Sequence, residues 1–353
     1  MKKLRLKKNR GKVHDPAAHS RITNETVAEH RERIIASGKK FKYPHQYLRH
    51  KLVINATIIA VLTLIIIVAV GWWQLYVVQN TSNFMYRVTR VVPVPVASVD
   101  GEAARYSDYL MRYRSQELWL KNQGQLGLSN ADSKRQLDYI KRTVLDGVEL
   151  DTYAAKRAKE LNITVTDKDI DAVIDQNRNT STGRISQEVY DSSTKATLGY
   201  SPDEYRYIIR QSLIRQRVAY EVDTPAKQTA EAVQAELKKT SPNLQTIVEQ
   251  LSAQGNKIEF GASGLVPKNN QDGGLSQAAL KLKDGQTSGL ITSTTADGYY
   301  FVQRINANDR QISYQFIKIP LNVFAENFAD LKKQQKIAEY IKVNDASQQV
   351  KNS

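Results

Sequence analysis

The chain is expected to be an α+β protein with a transmembrane helix, a mostly α domain, a small α+β domain and a closing C-terminal helix. Three observations carry that expectation. Leu52 to Val78 is an uncharged and largely apolar run. Between residues 97 and 222 apolar side chains recur at helical spacing. Beyond residue 223 the pattern changes to helices, a glycine-rich stretch and alternating strands, the order of a small α+β unit. At 353 residues there is length for two cores and an anchor. The implied segments are a basic tail 1–51, a transmembrane helix 52–78, a linker 79–96, a helical domain 97–222, the α+β domain 223–320 and a C-terminal amphipathic helix and tail 321–353.

The tail holds 15 Lys and Arg against 4 Asp and Glu, a balance of +11, whereas the remaining 302 residues carry only +4. Such a flank stays on the cytoplasmic side of a membrane, which puts the C-terminal domains outside the cytoplasm. A bilayer core of about 30 Å needs roughly 20 apolar residues, and residues 52–78 supply them. Trp72, Trp73 and Tyr76 stand where an aromatic belt meets the far headgroups. The expectation is a single-pass, uncleaved anchor in the cell membrane, with the basic tail touching anionic lipid and no nucleic-acid partner, because no recognition motif accompanies the charge. Within the tail, "TNETVAEHRERIIASG" predicts a short helix stopped by Gly38.

Past the anchor, Pro93 and Pro95 favour extended backbone, so a strand "VASV" is expected from Val96, turning at Asp100-Gly101. Tyr106, Tyr109, Leu110, Tyr113 and Leu118 then predict a helix. Residues 133–161 carry an apolar stripe and read as one helix, or as two bent near Gly147. Thr166 with Asp169, and Ser201 with Pro202 and Glu204, mark two capped helix starts. "VAYEV" at 218–222 reads as a short strand, followed by helices from about Pro225 and Pro242. A glycine-rich segment, the helix-like "LSQAALKLKD" and the strands "DGYYFVQRI" and "QISYQFIKIPL" come next. Phe324, Phe328, Leu331, Ala338 and Ile341 place one helical face in the last segment.

The chain has no cysteine, and its histidines, His14, His19, His30, His45 and His50, all precede the span. The outer portion therefore cannot run Ser-His-Asp or Cys-His catalysis or build an ordinary zinc site. It also lacks a phosphate-binding glycine loop and EF-hand spacing. No metal or cofactor is expected.

Two stretches carry a resemblance. "PVASVDGEAARYSDYLMRYR", "VLDGVELDTYAAKRAKELNITVTDKDIDAVI" and "LGYSPDEYRYIIRQSLIRQRV" resemble the SurA-type N-terminal chaperone domain. "GASG" at Gly261 to Gly264, "LSQAALKLKDGQTSGLI" and "DGYYFVQRI" resemble a parvulin-type prolyl isomerase domain, so the whole is similar to the SurA and PrsA foldases. The resemblance implies a proline pocket whose last strand supplies a His; here Tyr300 stands at that position. The family's first strand also ends in a His, and "VAYEV" offers only Tyr220 or Glu221. The usual Cys or Asp before the glycine turn falls on Ile258 or Glu259, and the apolar pocket residues on Ser263, Gln271 and Leu275.

Prolyl rotation needs no covalent step, only an environment that favours the twisted bond. By the resemblance the catalytic candidates are Tyr300, Asp297 and Tyr220, and the peptide-binding candidates are Leu275, Tyr299, Gly264 and Leu265. Against them stands the reading of Tyr299 and Tyr300 as ordinary strand residues. What the resemblance implies is a membrane-anchored extracytoplasmic chaperone or foldase for unfolded, secreted polypeptides, with a parvulin-like domain lacking the usual histidines. An active peptidyl-prolyl cis/trans isomerase and a structural envelope docking protein are the alternatives.

Overall fold

A computed structural model of the chain describes residues 23–42, 44–123, 131–180, 183–239, 243–295 and 297–344. The expectations for the basic residues 1–22, for the last residues beyond 344 and for a helix start at Pro242 lie outside these. The N-terminal unit consists of α1 (Asn24–Lys42) and α2 (Pro44–Trp72). Gly38 does not stop α1, which runs on to Lys42; an interior glycine costs a helix only about 1 kcal/mol and need not end it. Among the described residues one helical stretch, His50–Val77, is long and apolar enough to cross a membrane. Its last turn, Trp73–Val77, is a π-turn.

The rest of the chain, from Gln74, forms the second unit. The expected linker is largely helical: α3 (Asn83–Val91) starts at Ser82, whose hydroxyl accepts the Met85 N–H, and buries Met85, Tyr86 and Thr89. Tyr76 donates its hydroxyl to the Pro95 carbonyl at 2.6 Å. β1 (Pro95–Val99) and β2 (Glu102–Arg105) form a hairpin through Asp100 and Gly101, both at positive φ. Pro95 opens β1 at the first strand position, where its missing N–H costs least, and β1 is nonetheless the central strand of three.

α4 (Tyr106–Asn122) and α5 (Ala131–Glu160) pack their apolar stripes into one core with Tyr106, Tyr109, Leu110, Leu145 and Val148. α5 is a single helix through Gly147. α6 (Asp167–Asn177) begins at the complete Thr166–Asp169 capping box. The polar stretch after it forms two short strands, β3 (Asn179–Thr180) and β4 (Gly183–Arg184), and then α7 (Gln187–Leu198), capped by Ser186 and ended by Gly199 at φ +74°. α8 (Pro202–Val222) starts at the expected Ser201–Glu204 box and runs through "VAYEV". That segment is helical because Val218 and Ala219 are buried beside Tyr153, Ala154 and Phe324, so the expected strand is absent.

The C-terminal domain opens with α9 (Thr224–Leu237) and α10 (Leu244–Ala253), followed by β5 (Glu259–Pro267), α11 (Leu275–Leu280), β6 (Ile291–Thr292), β7 (Gly298–Ala307) and β8 (Gln311–Pro320). The sheet order is β5-β8-β7-β6, all antiparallel. Period-two alternation sends Tyr299, Phe301, Ile317 and Ile319 to the α9–α10 face and Tyr300, Val302, Ile312 and Tyr314 to the α11 face. "GASG" is not a turn but part of β5, where the register shifts between Ala262 and Leu265 and Gly264 takes φ +63°.

The closing segment differs from the single helix expected. α12 (Val323–Lys333) ends in a turn with Gln335 at φ +55°, and β9 (Ile337–Glu339) then pairs antiparallel with β1. Phe324 and Phe328 pack on Tyr153, and Ile341 is buried in the helical-domain core. β9 covers the edge of β1 that β2 leaves open, pairing its backbone groups. The C-terminal segment thus completes the helical domain.

Beneath this junction lies Glu149, 0% exposed, with neither carboxylate oxygen in a hydrogen bond among the described residues. Arg142 and Lys332 stay at 3.8 and 3.7 Å. Burial, and then the charge of Glu339, pushes its pKa up to about 7 against the pull of those two cations. An acid whose folded pKa exceeds its unfolded value of about 4.3 favours folding most when protonated, so stability falls as pH rises from about 4.3 to 7. Glu149→Gln should therefore raise the unfolding free energy by up to about 3 kcal/mol at pH 8 and barely change it at pH 4.5. Denaturant titrations at the two pH values measure this, and equal effects at both would refute it.

Candidate functional site

β7 and β8 carry the candidate site on the α11 face. Tyr300 is 5% exposed, and its hydroxyl donates to Asp297 Oδ2 at 2.5 Å. Asp297 also accepts from Thr295 Oγ1 at 2.6 Å and holds Lys318 Nζ at 3.1 Å. Thr295 in turn shares a 2.6 Å hydrogen bond with Ser293. Burial disfavours the Asp297 charge, but the hydrogen bonds from Thr295, Tyr300 and Ser293 and the Lys318 cation outweigh it and hold the carboxyl well below the usual range. Burial and the adjacent carboxylate push the Tyr300 phenol up. The phenol remains protonated and its proton is committed to Asp297. Gly298, beside this group, is required by packing: a Cβ there would sit 2.5 Å from the Ile319 carbonyl oxygen.

A second tyrosine–aspartate pair lies on the same face. Tyr314 donates to Asp272 Oδ2 at 2.6 Å, and Asp272 also accepts from the Ser276 hydroxyl and, at 3.0 Å, from the Ser276 N–H. Burial opposes ionisation of Asp272, yet the Ser276 and Tyr314 hydrogen bonds lower its pKa overall. Between the two tyrosines packs the Phe316 ring, with centroids 5.7 Å from Tyr300 and 6.3 Å from Tyr314. Phe316 fills the space above Gly261, where a Cβ would meet the ring at 2.4 Å. The alternation in "SYQFIKIP" was the available signal for Tyr314, Phe316 and Lys318. Asp272 had none, since only the fold brings its loop to β8.

The predicted residues fall into separate places. Tyr300, Asp297 and Leu275 are brought together, Tyr300 and Leu275 in one apolar cluster. Tyr299 is on the opposite face, packed with α9 and α10. Tyr220 reaches over from α8 to meet the Tyr299 ring at 4.9 Å and donates to the Gly298 and Ser293 carbonyls at 2.6 and 3.0 Å. Its phenol is raised by burial and by the Asp297 charge. Gly264 and the 57% exposed Leu265 lie on β5, at the edge of the sheet. The strand residue that packs on Tyr300 is Phe316 of β8, whereas Tyr220 and Glu221 lie on the helix α8 and not on the strand expected of "VAYEV".

Ser288 and Thr295 are bonded into the site: Val302 N–H donates to Ser288 Oγ at 2.9 Å, and Thr295 holds Asp297. Next to this group opens a cleft of about 670 Å³ between the two domains, lined by Gln176 and Asn179 from one side and Gln271, Gln277, Thr294 and Thr295 from the other. It is lined by neutral amides, hydroxyls and glycines. A second cavity, about 510 Å³, lies within the helical domain; of its charged lining, Arg112 pairs with Asp151, Lys159 with Glu102, and Lys156 reaches Asp100. Among the described residues no cluster of His, Asp and Glu is arranged to hold a metal ion.

Comparison with known families matches residues 46–219 to a SurA-like N-terminal domain and residues 215–306 to a PPIC-type PPIASE domain. A comparison with curated proteins finds no match. The two family matches adjoin near α8, in the order and at the place where the structure passes from the helical domain to the α+β domain. The chain belongs to the family of isomerases and chaperones in which a SurA-like N-terminal domain precedes a PPIC-type, parvulin-like domain.

Proposed function

We propose that the chain is a membrane-anchored chaperone whose domains lie outside the cytoplasm and hold unfolded, secreted polypeptides, and that its PPIC-type domain binds prolyl segments without isomerising them. The observation that carries this reading is the state of Tyr300: its hydroxyl is buried and spent on Asp297, leaving no proton aimed at a substrate. A donor directed at the twisting bond and not already engaged would favour the twisted state, and Tyr300 does not supply one. Lys318, the nearby cation, is likewise held by Asp297.

The cleft beside Gln271 and Thr295 offers what an extended chain requires. Its amides and hydroxyls can both donate and accept, which suits backbone groups of any sequence, and the lack of charge among its lining residues avoids selecting client side chains. The apolar span at His50–Val77 and the basic flank support the anchor, with the flank in the cytoplasm.

The test uses the full chain in detergent micelles, in a protease-coupled prolyl isomerase assay and an aggregation assay on a chemically unfolded client. The expected result is no acceleration above the uncatalysed rate, with client aggregation suppressed and both results unchanged in Tyr300→Phe. Acceleration that falls about tenfold or more in Tyr300→Phe, equivalent to about 1.4 kcal/mol of barrier, would replace this reading with an active isomerase. Neither activity, with one stoichiometric partner instead, would favour a structural docking protein.

A further inference from the structure

α3 is an amphipathic helix whose outer face has no protein cover among the described residues. Met85, Tyr86 and Thr89 point into the helical-domain core, while Phe84 is 67% and Val91 83% exposed. Val88 is half-buried beside them, and the spacing 84, 88, 91 places all three along one stripe. Flanking that stripe are two exposed arginines. Arg87 has no ion pair among the described residues, and Arg90 has only Glu204 at 3.9 Å. A face of large apolar side chains bordered by cations is the pattern of a helix that lies in a lipid–water interface.

Chain connectivity says which surface is within reach. The apolar span ends at Val77 and α3 begins at Asn83, with five residues between them. Even fully extended, that link reaches only about 20 Å. It is not extended: the Asn80 N–H donates to the Gln74 carbonyl at 2.9 Å, and the Asn80 side chain to that of Gln74 at the same distance. A helix so tethered cannot leave the neighbourhood of the headgroups, a layer several ångströms deep on each side of the hydrocarbon.

We propose that α3 is an interfacial helix, with Phe84, Val88 and Val91 entering the outer headgroup layer and Arg87 and Arg90 lying against lipid phosphates. The proposal rests on reading His50–Val77 as the membrane anchor. Its consequence is orientation: the span fixes the protein to the membrane, and α3 fixes which side of the helical domain faces the lipid. The domain would then stand on the membrane with a set tilt, not swing on a free stalk.

The chain lacks cysteine, so single substitutions can be spin-labelled without background. Full-length Phe84→Cys and Val91→Cys would be reconstituted in vesicles of phosphatidylcholine with anionic phosphatidylglycerol, and accessibility to oxygen compared with that to a water-soluble nickel chelate. Leu64→Cys, within the span, and Tyr139→Cys, exposed on α5, are the references. The expected oxygen-to-nickel ratio at 84 and 91 lies between the two, and drops toward the Tyr139 value when Arg87 and Arg90 are both changed to Gln.

Labels at 84 and 91 as water-exposed as at 139, with 64 in lipid, overturn the proposal and leave the anchor standing. A water-exposed label at 64 overturns both. Labels at 84 and 91 shielded from oxygen and nickel alike mean a protein partner or a second copy covers the face, which also overturns it. An unchanged ratio in the double arginine variant removes the arginines from the lipid contact.

Discussion

Ending the chain at Ala307 should leave the C-terminal domain unfolded, although the family match to that domain already ends at residue 306. The reason is β8. It is paired on both sides, with β5 and with β7, and without it β5 has no neighbour in the sheet. The truncation also removes Ile312, Tyr314, Ile317 and Ile319, none more than 2% exposed. At about 1.5–3 kcal/mol for each buried side chain, these contribute on the order of 6–12 kcal/mol, as much as the net stability of a typical domain. A chain ending at Leu321 keeps the whole sheet and loses only α12, β9 and the residues after them. Hydrogen exchange on the β7 amides distinguishes the two: protection should vanish in the shorter chain and persist in the longer one. Equal protection in both would show that β8 is dispensable.

Replacing Asp223 by alanine should cost about 3–5 kcal/mol. The Asp223 side chain is buried at the junction of α8 and α9. One oxygen caps α9 by accepting the Ala226 N–H at 3.0 Å, and the other accepts the Asn322 and Val323 N–H groups at 2.6 and 3.0 Å. Three backbone donors from two chain segments, a hundred residues apart, thus converge on one carboxylate. Alanine leaves all three unsatisfied, whereas asparagine keeps one acceptor oxygen and should cost roughly half as much. Denaturant unfolding of the two variants beside the parent checks this; a loss below about 1 kcal/mol for alanine would mean that water replaces the carboxylate.

The local features were legible because their causes are local. The Thr166–Asp169 and Ser201–Glu204 capping boxes join residues three apart, and each folded as its residue types dictate. The Asp100-Gly101 turn is equally short-range. "VAYEV" shows the opposite case. Its valines and tyrosine suit a strand, but burial of Val218 and Ala219 against α5 and α12 holds it in a helix. The end of the chain switched in the other direction, from an apparent helical stripe to a turn and the strand β9, because the open edge of β1 was there to receive it.

The same division runs through the candidate site. Tyr300 was found from the alternation of its own strand, and its burial on the α11 face follows from that alternation. Its working partners were not found that way. Phe316 reaches Tyr300 through the pairing of β7 with β8, Asp272 reaches Tyr314 across 42 residues, and Lys318 is positioned by the register that sets it opposite Tyr300.

By itself the sequence determined the apolar span, the uneven charge, the absence of histidine and cysteine chemistry beyond the span, the capped helices and the family order, all of them properties of composition or of neighbours along the chain. Tertiary structure alone decided that "VAYEV" is helical, that the C-terminal segment returns to β1, and that the Tyr300 hydroxyl is consumed by Asp297. The physical reason is that a strand's neighbour and a hydroxyl's partner are selected by competition among all groups the fold brings within bonding distance, and that competition takes place across the core and not along the chain.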